Sequence, residues 1–115
     1  MVPGTHILIN AKAQQAERLS DPHAFEHFIV QALADFGLVQ VGKVFHRFEG
    51  GGFTGVVCLT ESHLALHTWP EFQYYTCDIY LCDYTRNNYN LSLQLAEALK
   101  GYFKSYDIKE QIIER

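Results

Sequence analysis

One short stretch of the chain, residues 60–71, carries most of the side chains that could do chemistry. It reads TESHLALHTWPE and contains Glu61, Ser62, His63, His67 and the only tryptophan, Trp69. An apolar strand rarely holds such polar groups without partners, because an unpaired buried polar group costs free energy. Serine supplies a nucleophile and imidazole supplies a base, so the stretch indicates acid, base or nucleophile chemistry.

The spacing of these residues limits how they can meet. A lone histidine is more often a core or edge residue than a functional one. In an extended strand, His63 and His67 face one side and Ser62 faces the other. We therefore expect Ser62 to reach a base only if the backbone turns at or near it.

Two simpler kinds of site fit the pattern poorly. His63, His67, Cys77 and Cys82 carry atoms that bind zinc, but the chain has no C-x-x-C, and His-x-x-x-His suits a helix better than a strand. The G-x-S-x-G turn of many serine hydrolases is also missing around Ser62. We expect no metal.

The apolar pattern predicts the elements that position this stretch. Strands are expected over residues 6–11, 38–48, 55–61 and 74–82, with residues 63–68 continuing the third strand or turning into its neighbour, and residues 108–113 as a strand or ordered tail. One helix is expected to begin at Ser20-Asp21-Pro22 and to end near Gly37, and a second to be capped by Asn90. This order predicts an α+β two-layer sandwich, a mainly antiparallel sheet with two helices on one face.

Composition narrows the class of protein. A chain of 115 residues with 48% hydrophobic residues is expected to form a single domain, and its 14% of aromatic residues suggests packing against another subunit. The net charge is −4 and no basic run is present, which argues against nucleic acid and anionic membrane as partners. Three cysteines without a secretion signal or a membrane-spanning segment favour free thiols in the cytoplasm, where Cys58 and Cys77 are assigned to packing.

The region from His46 to Cys82 resembles the prokaryotic S-adenosylmethionine decarboxylases, small pyruvoyl-dependent enzymes of polyamine (spermidine) synthesis. The resemblance is carried by ESH at 61–63, HTWPE at 67–71, Asp78, Cys82, and upstream by His46, Phe48, Gly52, Thr54 and Gly55. Several motifs at one fixed spacing make this a specific signal.

The resemblance implies a proenzyme that cuts itself between residues 61 and 62. Ser62 would attack the carbonyl of Glu61, and Ser62 would end as a covalent pyruvoyl group at the new N-terminus. By matching position, His67 is the acid/base of this processing and Thr54 supplies a hydroxyl that assists it. A strained turn at Glu61-Ser62 would favour the reaction.

The resemblance also implies roles in the mature enzyme. The pyruvoyl carbonyl would form a Schiff base with the amine of the small-molecule substrate, and Cys82 would return a proton after decarboxylation. Phe48 matches an aromatic residue that stacks on adenine, Glu71 matches a carboxylate that contacts the ligand, and His67 lies against the purine. The family implies a homodimer with its sites near the subunit interface.

Departures from the family pattern leave other functions open. Asn10 stands where many relatives have an acidic residue, and residues 74–76 are bulkier than usual. One alternative is a pyruvoyl-dependent ornithine or arginine decarboxylase. Another is an unprocessed regulatory or binding homologue without catalysis.

Overall fold

A computed structural model describes residues 3–84 and 86–115, which form six strands and two α-helices. The strands are β1 (Gly4–Ala13), β2 (Gln40–Arg47), β3 (Phe53–Leu59), β4 (Ser62–Trp69), β5 (Tyr74–Cys82) and β6 (Ser105–Glu114), and the helices are α1 (Pro22–Asp35) and α2 (Tyr89–Tyr102). The strands make one sheet in the order β2-β3-β4-β5-β1-β6, with every neighbouring pair antiparallel. The predicted α+β sandwich is confirmed.

The first helix begins and ends where its sequence signals predict. The Asp21 side chain accepts a hydrogen bond from the Ala24 amide at 3.0 Å, and Pro22 occupies the first turn, where its missing N–H has no partner to lose. Gly37 follows the helix with a φ of +70°, a conformation that glycine adopts without a steric penalty. No helix in the described part of the chain is long and apolar enough to cross a membrane.

Both helices cover the same face of the sheet, and the core lies between these two layers. Alternate strand residues point to opposite faces, so one set from each central strand is fully buried. This core includes Ile7 and Ile9 of β1, Val57 of β3, Leu64 and Leu66 of β4, Ile79 of β5, Phe25 and Ile29 of α1, and Leu95 and Leu99 of α2. Burial of each such side chain contributes about 1.5–3 kcal/mol.

Among the residues that the structure describes, no helix covers the other side of the sheet, which we call the open face. The register places Val56, Ala65, His67 and Thr76 there, and these residues are only half-buried. The chemistry-bearing histidines therefore lie on an uncovered surface of a rigid sheet.

Three details differ from the expectations or resolve them. Residues 62–69 form the separate strand β4, which pairs with β3 through a two-residue turn. The predicted cap at Asn90 is wrong: α2 begins at Tyr89, because the Asn87 side chain already accepts the Tyr89 N–H at 2.9 Å. The first strand runs on to Ala13, since that small side chain is buried in the core.

Gly52 provides a test of packing beside β4. A Cβ atom there would lie 2.6 Å from the Thr68 carbonyl oxygen and 3.2 Å from Pro70, so backbone would have to move. We expect Gly52→Ala to destabilise the fold by about 1–3 kcal/mol, the usual cost of overpacking. Gly42→Ala is the matched control, because a Cβ at Gly42 meets nothing within 4 Å. Urea denaturation of both variants measures the difference, and equal stabilities would contradict the prediction.

Candidate active site

The turn between β3 and β4 holds Ser62 in a strained conformation. Leu59 pairs with Ser62, so only Thr60 and Glu61 form the loop. Two-residue hairpin loops normally place positive φ within the loop, but here it falls on Ser62, at +119°. A non-glycine residue in such a region costs about 1–3 kcal/mol. The backbone thus departs from regular strand geometry at Ser62.

The carbonyl of Glu61, the group next to Ser62, is held by the neighbouring strand. The Cys82 backbone N–H donates to the Glu61 carbonyl oxygen at 3.0 Å. A fixed N–H at this position polarises the carbonyl and can stabilise negative charge that develops on its oxygen. Ser62 and Cys82 are therefore brought to the same end of the sheet. We name this end, residues 60–62 with Cys82, the turn cluster.

The Glu61 side chain is buried and anchored by residues that the sequence did not single out. Its Oε1 accepts from Asn88 Nδ2 at 2.9 Å, and its Oε2 lies 3.2 Å from the Arg86 guanidinium. Asn88 Nδ2 also donates to the Cys82 carbonyl oxygen at 2.9 Å. These contacts join residues that are separated in sequence. The only sequence signal for Arg86 and Asn88 was that they lie in the polar run after Cys82.

A second cluster lies at the other end of β4, where a pocket of about 390 Å³ opens on the surface. Its lining includes the three residues predicted to bind the substrate, Phe48, His67 and Glu71, and also Thr54, which is predicted to assist processing. The other lining residues are Gly50, Gly52, Thr68 and Trp69. The volume lies within the range of small-molecule sites. We name this group the ligand pocket.

Within the ligand pocket, Thr54 orients the histidine. Thr54 Oγ1 and His67 Nδ1 are hydrogen-bonded at 3.0 Å, because the two residues are directly paired between β3 and β4. A fixed Nδ1 leaves Nε2 to face other groups. Phe48 is 49% exposed and packs edge-on against His46, so one ring face is available to a flat ligand.

The turn cluster and the ligand pocket are far apart within one chain. His67 lies five positions after Ser62 in one continuous strand, which corresponds to about 17 Å. The fold therefore brings Ser62 together with Cys82, and His67 together with Thr54, Phe48 and Glu71, but it does not join these two groups.

The pairing register arranges the open face in cross-strand rows. The pocket row is His46, Thr54, His67, Thr76 and Asn10; the central row is Val44, Val56, Ala65, Asp78 and Leu8; the turn row is Cys58, His63, Tyr80 and His6. The central row is mainly apolar. In the turn row, His6 is hydrogen-bonded to Asp78 at 3.3 Å, and the Arg115 guanidinium lies over the Tyr80 ring.

The cysteines occupy three different environments. Cys77 is buried among the core residues, where burial raises the pKa of its thiol, and its packing role is confirmed. Cys58 is exposed on the open face, so its assignment to packing within this chain is wrong. Cys77 and His67 lie on opposite faces, and the four ligands considered for zinc do not converge. In residues 3–84 and 86–115, no group of three His, Cys, Asp or Glu side chains is arranged to hold a metal.

Comparison with known proteins gives a consistent result. A family model described as S-adenosylmethionine decarboxylase matches residues 5–115. A relative from Syntrophomonas wolfei, named S-adenosylmethionine decarboxylase proenzyme, is 34% identical over 113 residues, which cover 97% of this chain and 90% of the relative. A protein of the same name from Moorella thermoacetica is 35% identical, with 97% and 86% covered.

The fold comparison agrees with the sequence comparison. The crystal structure of the adenosylmethionine decarboxylase from Aquifex aeolicus superimposes with a TM-score of 0.88 and 25% sequence identity. The match covers 99% of this chain and 91% of that structure. The sheet and both helices are thus shared along the whole chain.

Proposed function

Since this chain belongs to the S-adenosylmethionine decarboxylase family, we propose that it decarboxylates S-adenosylmethionine in the cytoplasm with a pyruvoyl group made from its own Ser62. The product would supply the aminopropyl group of spermidine. The observation that carries this proposal is the strained Ser62, with its φ of +119°, beside a Glu61 carbonyl that accepts the Cys82 N–H. This arrangement suits a peptide bond that is to be attacked by its own neighbour.

The self-cleavage would proceed in two stages. The Ser62 Oγ attacks the Glu61 carbonyl carbon, the peptide C–N bond breaks, and an ester replaces the amide while the Cys82 N–H stabilises the oxyanion. A base then removes the Ser62 α-proton, and the Cβ–Oγ bond breaks, releasing Glu61 as a carboxylate. The resulting dehydroalanine takes up one water and loses ammonia, which leaves the pyruvoyl group at residue 62.

A second copy of the chain would supply the missing base. Ala65 lies three residues from Ser62 and two from His67 in β4, near the middle of the open face. In the proposed dimer, the open faces of two chains stack on each other. The two-fold axis lies between them, parallel to the central row. This rotation places the turn row of one chain opposite the pocket row of its partner. Stacked sheets are about 10 Å apart, so side chains from both can meet between them.

The surface of the open face supports this homodimer. Val44 is 69% exposed and Ile113 is 45% exposed, and both lie on this side of the sheet. A patch of exposed apolar side chains bordered by polar residues is typical of a surface that another protein covers. Two sites result, each with Ser62 and Cys82 from one chain and the ligand pocket from the other.

The ligand pocket has groups that suit an adenosyl ligand. Phe48 offers an aromatic face to a purine, and Glu71 offers a carboxylate that can accept hydrogen bonds from hydroxyl or amino groups. Trp69, 38% exposed beside His67, adds a second aromatic surface. Ornithine has no flat group to stack on either ring, and the planar guanidinium of arginine is much smaller than a purine.

Thr54 tests the role of His67 in cleavage. Thr54→Val keeps the shape but loses the hydroxyl that orients the imidazole, and a hydrogen bond contributes about 1 kcal/mol. We expect cleavage to slow by about 5-fold, whereas Thr54→Ser should cleave nearly as fast as the natural chain. A time course of intact and split chain by mass spectrometry measures both. Normal cleavage in Thr54→Val would show that this hydrogen bond is not used.

Cys82 separates cleavage from decarboxylation. When formed, a pyruvoyl group at residue 62 would supply a carbonyl for the substrate amine and an electron sink for decarboxylation. The Cys82 thiol then returns a proton to the substrate carbon, while its backbone N–H serves only the earlier cleavage. We expect Cys82→Ala to split normally but to lose about 100- to 10,000-fold in turnover per carbonyl group. A variant that turns over normally would remove the thiol from the mechanism.

One assay tests the whole proposal. Release of carbon dioxide from S-adenosylmethionine is compared with release from ornithine and arginine, and the carbonyl content is titrated with phenylhydrazine. We expect activity on S-adenosylmethionine and one reactive carbonyl per split chain. A chain that stays intact, or that acts only on a basic amino acid, would overturn the proposal.

A further inference from the structure

Asn88 holds the cap position of α2 but does not cap the helix. Asparagine at this position normally accepts a hydrogen bond from the first turn, yet the Asn88 side chain makes no such bond. It is fully buried, and its Oδ1 has no hydrogen-bond partner among the described residues. A buried amide oxygen without a partner costs free energy, so the side chain is oriented by something other than helix stability.

The contacts of Asn88 lead to the bond that is to be cleaved. Its Nδ2 donates to Glu61 Oε1 and to the Cys82 carbonyl oxygen, both at 2.9 Å. The Cys82 N–H in turn donates to the Glu61 carbonyl oxygen at 3.0 Å. One buried amide thus fixes both the residue that carries the scissile carbonyl and the residue that supplies its hydrogen-bond donor.

Three hydrogen bonds hold the arrangement in place. The Asn88 N–H donates to Asp83 Oδ1 at 2.8 Å, which ties the start of α2 to the end of β5. The Arg86 guanidinium donates to Glu61 Oε2 at 3.2 Å and to the Gly37 carbonyl oxygen at 3.1 Å. We name Asn88 and Arg86 the clamp.

We propose that the clamp positions the Glu61 carbonyl for attack by Ser62, an inference that rests on the proposed self-cleavage. Asn88 is a positioning residue, because it acts through its hydrogen bonds to Glu61 and Cys82. Its amide keeps Glu61 from rotating out of the turn and keeps the Cys82 N–H aimed at the carbonyl oxygen. A displacement of about 1 Å at a reacting group can slow a reaction by about 100-fold.

The main test follows cleavage of freshly synthesised chains by mass spectrometry. We expect Asn88→Ala to cleave about 100-fold more slowly than the natural chain. Arg86→Met loses only the partly exposed arm of the clamp, so a slowing of about 10-fold is expected. Asn88→Asp keeps the shape but cannot donate as a carboxylate, and it should be slow like Asn88→Ala; fast cleavage of Asn88→Asp would overturn the proposal.

Ser92→Ala is the matched control for helix damage. Ser92 is fully buried, and its Oγ donates to the Asn88 carbonyl oxygen at 2.9 Å without touching Glu61 or Cys82. Thermal denaturation of Asn88→Ala and Ser92→Ala, each in a Ser62→Ala chain that cannot split, compares their folding. We expect Ser92→Ala to cleave at the natural rate. Equal slowing of cleavage by both substitutions would show that the loss follows from helix damage alone.

Hydroxylamine identifies the step that the clamp serves. It cuts an ester at residue 61 to give a hydroxamate on Glu61 and a free hydroxyl on Ser62, but it leaves an amide intact. We expect uncleaved Asn88→Ala to resist hydroxylamine, because the ester has not formed. Cutting by hydroxylamine would place the defect in the later elimination and overturn the proposal.

The turnover of the split fraction gives a further check. Arg86 contacts Glu61 and Gly37 and makes no hydrogen bond to Cys82, so split Arg86→Met should turn over like the natural enzyme per titrated carbonyl. A large loss of turnover per carbonyl would contradict a role limited to cleavage. If the natural chain itself never splits, the proposed function fails; if it splits and Asn88→Ala splits equally fast, only the clamp fails.

Discussion

Ser62→Ala is expected to remain a single uncut chain that lacks a carbonyl reactive towards hydrazines. Without the Oγ atom no ester can form, and without the ester no pyruvoyl group arises. Activity should fall by more than about 10,000-fold, the scale found when a reacting nucleophile is removed. Mass spectrometry and carbon dioxide release measure the two effects, and a split or active Ser62→Ala chain would contradict them.

A second substitution at the same position separates strain from nucleophilicity. Glycine tolerates the φ of +119° that alanine and serine do not. We therefore expect uncut Ser62→Gly to be more stable than uncut Ser62→Ala by about 1 kcal/mol in urea denaturation. At Ser92, inside α2, the order should reverse, because glycine is less favourable than alanine in a helix by about 1 kcal/mol. If Ser62→Gly is no more stable than Ser62→Ala, no strain is held at Ser62.

Mixing two inactive variants should restore activity. Ser62→Ala lacks the nucleophile and His67→Ala lacks the base, but a mixed dimer of the two has one complete site, made of Ser62 from one chain and His67 from the other. Random pairing of equal amounts gives mixed dimers in half the population, so about a quarter of the natural activity is expected. Co-expression with two different tags, followed by carbon dioxide release, measures it.

The matched control pairs Ser62→Ala with Cys82→Ala. These residues lie in the same turn cluster, where the Cys82 N–H reaches the Glu61 carbonyl of its own chain. No pairing of these two variants yields a complete site, so no recovery is expected. In the first mixture, only the His67→Ala chain should be split. Absence of recovery with Ser62→Ala and His67→Ala would show that each site is built from one chain.

Much of the fold follows from local pattern. The alternating apolar residues of 74–82 predict a strand that the structure places at Tyr74–Cys82. Asp21 and Pro22 mark the start of α1. The Asp21 side chain accepts a hydrogen bond from an N–H group of the first turn, and Pro22 has no N–H group that needs a partner. Such signals depend only on residues that are neighbours in sequence, so they can be recognised without knowing how the rest of the chain folds. The cap of α2 was misplaced because three asparagines, Asn87, Asn88 and Asn90, compete for it.

The spacing of the ESH and HTWPE motifs was enough to indicate the family, and with it the roles expected of Ser62, His67 and Cys82. Only the tertiary structure decided that Ser62 and Cys82 lie at one end of β4 and that His67 lies at the other. It also revealed Asn88 and Arg86 beside Glu61. The physical reason is that sequence patterns report which face a residue occupies, whereas strand register and helix placement decide which distant residues share a contact.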